Sequence, residues 1–206
     1  MTRGRNDVAA EVTEGQTFRG VDWYGEDLGS RAFVSGEFVD ADLTEVTSRG
    51  ARFEGCTFLG GAMNASTHDG SSFTACTFRR TSFFAATLRG CKLVGSTFAD
   101  AKLRPMTVEG GNWSYVMLRG SDLSGLDLSG VKLVEADLSE ANLSEAVLRG
   151  TDLSRATARN ARLRETDLVG ADLTGVDLSG LAWNGSKVDT TLALLIAEAM
   201  GAVVTG

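Results

Sequence analysis

The sequence is poor in residues on which many folds and sites depend. Its 206 residues include one proline, one histidine and two tyrosines, against 25 glycines. Its three cysteines show no CxxC spacing, so we expect reduced thiols. One histidine cannot complete a set of metal ligands, and glycine-rich phosphate-binding patterns and the GxSxG serine motif are absent. We therefore expect no metal, no cofactor and no catalytic activity.

Long apolar runs are missing as well. No stretch approaches the roughly 20 apolar residues of a membrane span. The N-terminal MTRGRNDVAAEV has no apolar segment behind its basic residues, so we expect no signal peptide and a cytoplasmic protein. The net charge of -7 argues against direct binding of nucleic acid, which requires a basic surface.

The feature that is present is a period of five. Every fifth residue from Phe18 to Trp183 forms a register of 34 positions, and large apolar residues occupy 31 of them. The exceptions are Ser48, His68 and Ala158. We call these positions the central positions. A small residue lies two before each, and glycine occupies 17 of the 34 positions two after it. Neither an α-helix nor a flat strand keeps a period of five on one side, whereas a chain that turns every five residues does.

A second period of 20 indicates how many turns close a coil. Glycine recurs at every twentieth residue from Gly50 to Gly170, and phenylalanine does so from Phe18 to Phe98. Four sides of five residues account for both columns. The sequence therefore predicts an all-β solenoid with a parallel ladder between coils about 4.8 Å apart. We expect it over residues 16–187, after a lead-in of residues 1–15.

The C-terminal segment, residues 188–206, leaves the register and predicts a short α-helix. Asp189 or Thr190 is a suitable N-cap, and Gly201 a suitable stop. Helical spacing repeats in the apolar residues, but they cover more than one face, so a capping helix would retain apolar surface for a second copy of the chain. The alternative is a cap on a monomer. The predicted dimer interface comprises Leu192, Leu195, Ile196, Ala199 and Met200.

The units SDLSG, LDLSG, ADLTG and VDLSG resemble those of the pentapeptide-repeat family, whose members form right-handed quadrilateral parallel β-helices. The terminal KVDTTLALLIAEAMG and the proline-bearing KLRPMT resemble the Mfp and Qnr members. That resemblance implies an end-to-end homodimer that imitates duplex DNA and binds bacterial DNA gyrase. It also implies inhibition of gyrase, or its protection from fluoroquinolones or a gyrase-targeting natural product. The uninterrupted register is closer to the loop-free Mfp type.

Acidic residues are the candidates for the partner-binding surface. Residues 121–180 contain 11 acids and 6 bases, a balance of -5. Four-sided geometry gathers five of the acids along one edge: Asp122, Asp137, Glu140, Glu145 and Glu165. Duplex DNA would carry about 24 charges over the ~40 Å of such a rod, so mimicry would depend on rod shape and this local acidic stripe. The competing interpretation is that aspartate before a central position is ordinary repeat chemistry.

Two further alternatives stay open from the sequence. One is that the chain serves as a general pentapeptide-repeat scaffold whose partner is not gyrase. His68 lies at a central position 20 residues after Ser48, and we expect a buried polar pair there instead of a catalytic or metal-binding site. The sequence leaves the isomer of the bond before Pro105 undetermined.

Overall fold

The computed structural model describes residues 12–205, which form a parallel β-solenoid followed by one short α-helix. Each residue of a strand pairs with the residue 20 positions later, as in Phe38 with Phe58 and Phe58 with Phe78. The period of 20 is therefore the length of one coil, which confirms the predicted four-sided solenoid. Single β-bridges continue the same register as far as Asp167 with Lys187.

The four sides are named here by their first central residues. Side 1 starts at Phe18, side 2 at Trp23, side 3 at Leu28 and side 4 at Phe33. Side 1 contains β2 (Thr17–Arg19), β4 (Glu37–Val39), β7 (Thr57–Leu59), β10 (Thr77–Arg79) and β12 (Thr97–Ala99). Side 3 contains β5 (Thr47–Arg49), β8 (Thr67–Asp69), β11 (Thr87–Arg89) and β13 (Thr107–Glu109). Side 4 contains β1 (Val12–Glu14), β3 (Ala32–Val34), β6 (Arg52–Glu54) and β9 (Ser72–Thr74). Side 2 is joined by single bridges, such as Asp22 with Asp42.

The corners of the coil explain the glycine column. Of the 34 residues that lie two after a central position, 31 have a positive φ, and 15 of these are not glycine. Glycine adopts this left-handed conformation without steric cost, whereas other residues pay roughly 1 kcal/mol. The coil geometry therefore imposes the turn on residues such as Glu145 (φ 61) and Arg80 (φ 54). Pro105 departs from this pattern, because its ring holds φ at about −65°. The bond between Arg104 and Pro105 is cis.

Large side chains fill the interior of the coil as stacked columns. The rings of Phe33 and Phe53 lie 4.9 Å apart on side 4, and those of Phe58 and Phe78 lie 4.8 Å apart on side 1. Leucine takes over in the later coils, where Leu123, Leu128 and Leu133 are fully buried. Each coil thus buries its central residues against its immediate neighbours, as solenoids do.

The structure moves the predicted start of the solenoid and defines how the C-terminal helix is attached to it. Val12 pairs with Ala32, so the residues from Val12 onward are part of the first coil and not of a lead-in. Residues 1–11 lie outside the described part of the chain. At the other end, α1 (Thr190–Ala199) has Asp189 as its N-cap, whose Oδ1 accepts a hydrogen bond from the amide of Leu192 at 2.9 Å. The other carboxylate oxygen accepts one from the amide of Gly170 at 2.8 Å, which ties the helix to the last coils.

The ladder of side 1 ends at the small central residue Ala158. Its last bridge joins Asp137 to Thr157, whereas side 2 and side 3 remain bridged for one coil more. A cleft of about 230 Å³ separates residues 155–160 from residues 175–181. Beneath it lies an apolar cavity of about 20 Å³ lined by leucines, alanines and a valine. The loss of bulk at one central position therefore loosens the packing of the coil that follows.

Replacing Ala158 by leucine should fill this cavity and stabilise the protein. Burial of the added methylene groups is worth ~0.8 kcal/mol each, so we expect a gain of about 1–2 kcal/mol after repacking. The urea midpoint of wild type and Ala158→Leu measures the gain. Ala158→Ser, which adds no apolar volume, serves as the control and should show none. A midpoint for Ala158→Leu at or below that of wild type would contradict the prediction.

Candidate partner-binding surfaces

The predicted dimer interface divides between a buried and an exposed part of α1. Leu192 is only 3% exposed and belongs to the core, and Ile196 is half-buried against that core. Leu195 is 43% exposed and Met200 73% exposed, and Ala199 is exposed beside them. Leu192 and Ile196 therefore cap the solenoid within one chain. The apolar surface available to a second copy comes from the exposed residues.

A cleft adjoins this exposed surface. It has a volume of about 340 Å³ and lies between α1 and the last coils. Leu192 and Leu195 contribute to one wall, and Ala171 and Leu173 to the other. The lining also includes Asp172, Asp189 and two threonines, so the cleft is mixed in character. Its apolar wall beside the exposed apolar side chains is a suitable surface for a side chain from a second copy, because both would lose contact with water on association.

Arginines neutralise much of the predicted acidic stripe. Each of its five carboxylates lies within 4.0 Å of a guanidinium. The pairs are Arg104–Asp122 at 3.0 Å, Arg119–Asp137 at 3.5 Å, Arg119–Glu140 at 2.9 Å, Arg164–Glu145 at 3.2 Å and Arg164–Glu165 at 3.6 Å. Five carboxylates against three arginines leave a net charge of -2. The stripe is thus a weaker source of negative potential than the sequence indicates.

Two aspartates of the stripe also accept hydrogen bonds from backbone amides. Asp122 accepts a hydrogen bond from the amide of Ser124 at 3.1 Å, and Asp137 accepts one from the amide of Ser139 at 2.9 Å. Partial burial acts to raise the pKa of Asp122, but the bonds from Ser124 and Arg104 outweigh it and lower that pKa. Aspartates before other central positions make the same bond two residues on, which is the geometry of an Asx turn. Repeat chemistry therefore accounts for these two aspartates.

A second group of acids on side 2 lacks such neutralisation. Asp22, Asp40, Asp42 and Glu45 lie in the first coils, and no arginine or lysine of residues 12–205 lies within 4.0 Å of their carboxylates. We call these four residues the acidic edge. A hydrogen bond to Glu45 raises the pKa of Tyr24, whose side chain is exposed beside them. The acidic edge has a charge of -4 on the same side that carries most of the stripe.

His68 forms the predicted polar pair. Its Nδ1 lies 2.7 Å from the Ser48 hydroxyl, which in turn lies 2.8 Å from the Ser71 hydroxyl. The Nε2 atom is buried without a hydrogen-bond partner among the described residues. Burial lowers the pKa of His68 to about 4, so the ring is neutral at physiological pH. The fully enclosed imidazole has no access to a substrate.

The three cysteines occupy small inward positions, two residues before a central position. Cys56, Cys76 and Cys91 are unpaired and buried. Burial raises the pKa of the Cys91 thiol to about 11, so the thiol remains protonated and unreactive at neutral pH. Within residues 12–205, no three His, Cys, Asp or Glu side chains are placed to share a metal ion. No helix in that range has the length and apolarity to cross a membrane.

One exposed residue that the sequence analysis did not single out is Phe84. It is 55% exposed on side 2, whereas the other nine phenylalanines occupy central positions. The five-residue register could have identified Phe84 as the exception, because it falls one residue after the central position Phe83. The surroundings of Phe84 are basic and are considered further below.

Comparison with known proteins agrees with this architecture. A protein-family model for pentapeptide repeats matches residues 109–140 and 141–180, in eight copies. The four-sided parallel coil thus has the architecture of a pentapeptide-repeat β-helix, and the repeats matched by the model lie within residues 109–180.

Among solved structures, the fold is similar to that of QnrB1, which is described as a plasmid-mediated fluoroquinolone resistance protein. A trypsin-treated variant of QnrB1 is 24% identical with a TM-score of 0.71, over 95% of this chain and 98% of that chain. Full-length QnrB1 is 22% identical with a TM-score of 0.69, over 93% of this chain and 100% of that chain. No curated protein sequence matches this chain.

Proposed function

We propose that this protein binds bacterial DNA gyrase in the cytoplasm in place of duplex DNA. Through this binding it would inhibit the enzyme, or protect it from fluoroquinolones or from a gyrase-targeting natural product. The observation that carries the proposal is the similarity to QnrB1 along almost the whole of both chains. In this role the chain is a binding protein and catalyses no reaction.

The active form in this proposal is a homodimer joined end to end through α1. The exposed side chains of Leu195 and Met200 and the leucine-lined wall of the cleft beside α1 support this arrangement. Joining two solenoids at their C-terminal ends doubles the length of the rod. It also puts the two acidic edges at the outer ends, since the acidic edge lies in the first coils.

In this proposal the stripe and the acidic edge both attract gyrase electrostatically, and the acidic edge does so more strongly. The stripe retains a net charge of -2 after its arginine pairs, whereas the acidic edge retains -4. Carboxylates that are not paired within the chain are available to the cations of a DNA-binding surface, and they speed association at low salt. We therefore expect charge reversal at the acidic edge to weaken gyrase binding more than charge reversal within the stripe.

The test is a gyrase supercoiling assay with increasing protein, with and without ciprofloxacin. Wild type should inhibit supercoiling or rescue gyrase from drug-induced cleavage. The variant Asp40→Lys with Glu45→Lys should require about tenfold more protein, because attraction across the interface becomes repulsion. Both substitutions lie at corner positions, and Arg80 shows that a basic residue is accommodated at such a corner.

A matched control is available on side 4. Glu14 and Glu54 are exposed and have no cation within 4.0 Å among residues 12–205, so Glu14→Lys with Glu54→Lys makes the same change in net charge elsewhere. Equal loss of effect in both double variants would show that net charge, not the acidic edge, governs binding. A folded wild-type dimer without effect in either arm of the assay would favour the alternative, a scaffold for another partner.

A further inference from the structure

A basic and aromatic surface lies on side 2 and at its corner with side 1, between the two acidic groups. We call it the central patch and define it as Arg79, Arg80, Phe84 and Lys102. Arg80 and Phe84 belong to one coil, and Lys102 belongs to the next. The backbone joins the two coils directly, since the amide of Phe83 donates to the carbonyl of Lys102 at 2.8 Å and Ser82 forms a bridge with Lys102. Arg80, Phe84 and Lys102 therefore share one surface two coils wide, and Arg79 lies at its edge on side 1, directly before the corner residue Arg80.

The cations of the central patch are not used within the chain. Arg79, Arg80 and Lys102 are exposed, and none has a carboxylate of residues 12–205 within 4.0 Å. Asp100, at the same corner as Arg80 one coil later, has no arginine or lysine of residues 12–205 within 4.0 Å either. By contrast, the neighbouring Arg104 is bound to Asp122 at 3.0 Å. Three cations against the single carboxylate of Asp100 give this surface a positive charge in a chain whose net charge is -7.

The fold itself does not require these side chains. Arg80 has a φ of 54°, in the conformation that glycine adopts without strain, and glycine occupies half of the equivalent positions. Phe84 is 55% exposed, so it adds little to the core. The side 2 positions of its own and the preceding coil are mostly small, including Ala62, Ala65 and Ala85, which leaves the ring accessible.

We infer that the central patch binds a short acidic segment of a partner protein. An aromatic or aliphatic side chain of that segment would cover Phe84, and its carboxylates would pair with Arg79, Arg80 and Lys102. Exposed apolar surface next to cations that lack internal partners is the complement of such a segment.

The extent of the patch selects a short peptide over a nucleic acid strand. Two coils span only about 10 Å along the rod. Beyond them, side 2 presents Asp40 and Glu45 towards one end and Glu140 and Glu145 towards the other. A long polyanion lying along side 2 would run over these carboxylates and be repelled, whereas a short acidic segment would contact the cations alone.

The probe is a short synthetic peptide with one tryptophan between glutamates, titrated into the full-length chain and followed by fluorescence anisotropy. We expect saturable binding that weakens as salt is raised. Phe84→Ser should lower the affinity about tenfold, or ~1.4 kcal/mol, because it removes the aromatic contact. Arg80→Gly should lower it about fivefold, and it introduces the residue that the corner conformation favours, so folding is preserved.

Lys132→Ala is the matched control. Lys132 is exposed on side 4 and has no carboxylate within 4.0 Å among residues 12–205, so its loss should leave peptide affinity unchanged. No saturable binding by wild type, or equal weakening in all three variants, would overturn the inference. Tighter binding of a single-stranded oligonucleotide that is lost in Phe84→Ser and Arg80→Gly would also overturn it, and would assign the patch to nucleic acid. None of these outcomes depends on gyrase, so the inference stands apart from the proposed function.

Discussion

Replacing Leu195 by aspartate should yield a folded monomer in place of the proposed homodimer. In the single chain Leu195 is 43% exposed, so a charge there should alter the free energy of unfolding by less than ~0.5 kcal/mol. In a dimer joined through α1 the same carboxylate would be buried against apolar side chains. A buried charge without a partner costs about 3–5 kcal/mol, which weakens association about a hundredfold or more. Light scattering after size exclusion measures the molar mass, and circular dichroism verifies the fold.

The adjacent leucine provides the control for this experiment. Leu194 is 44% exposed, almost the same as Leu195, but unlike Leu195 it does not line the cleft between α1 and the last coils. Leu194→Asp should therefore keep the dimer. If Leu195→Asp stays dimeric, or if both variants dissociate alike, the interface does not lie where we propose. A monomeric Leu195→Asp that retains its full effect on gyrase would separate dimerisation from activity.

The second large effect concerns the dependence of stability on pH. The pKa of His68 is about 4 in the folded protein, below the ordinary value of 6.5. A depressed histidine pKa means that the unfolded chain binds a proton at a higher pH than the folded chain does. The free energy of unfolding therefore falls as pH drops from about 6.5 towards 4, by as much as ~3 kcal/mol. Above pH 6.5 both states are neutral at this residue and the effect vanishes.

His68→Leu isolates this effect from the titration of carboxylates. Leucine occupies the equivalent central position in the next coil, at Leu88, so the variant should fold. Several aspartates with lowered pKa values, including Asp172 and Asp177, also lose stabilisation in acid, but they do so in both proteins. Urea unfolding at pH 7.5 and pH 4.5 should show a smaller loss for His68→Leu than for wild type. Equal losses would indicate that the buried imidazole can take up a proton without unfolding the coil.

The fold was predictable because its information is local and repeated. A large residue at every fifth position specifies where the chain turns, and residue types that recur every 20 positions specify the length of a coil. Both patterns extend over most of the chain. The lone histidine was also placed correctly, since Ser48 and His68 share one column. The N-cap Asp189 followed from its position before the apolar helix.

The candidate site was less predictable, because charge counts do not reveal ion pairs. The stripe from Asp122 to Glu165 stood out as acidic, yet four of its five carboxylates pair with an arginine about one coil away in the sequence, and only Glu165 pairs with its neighbour Arg164. The acidic edge has the same residue types and lacks such partners within the described chain. The cis bond before Pro105 was also outside the reach of the sequence.

The sequence by itself determined the coil, the central columns and the terminal helix. The periods of five and 20 are visible in the order of residues, and a regularly wound chain must follow them. Only the tertiary structure decided which charged and apolar groups remain available to a partner. Leu192 turns into the core while Leu195 stays exposed, and Asp122 meets Arg104 while Asp40 meets no cation of residues 12–205. Whether a side chain is available to a partner depends on its distance from the side chains of neighbouring coils and on how much of its surface is buried. Neither quantity can be read from the order of residues.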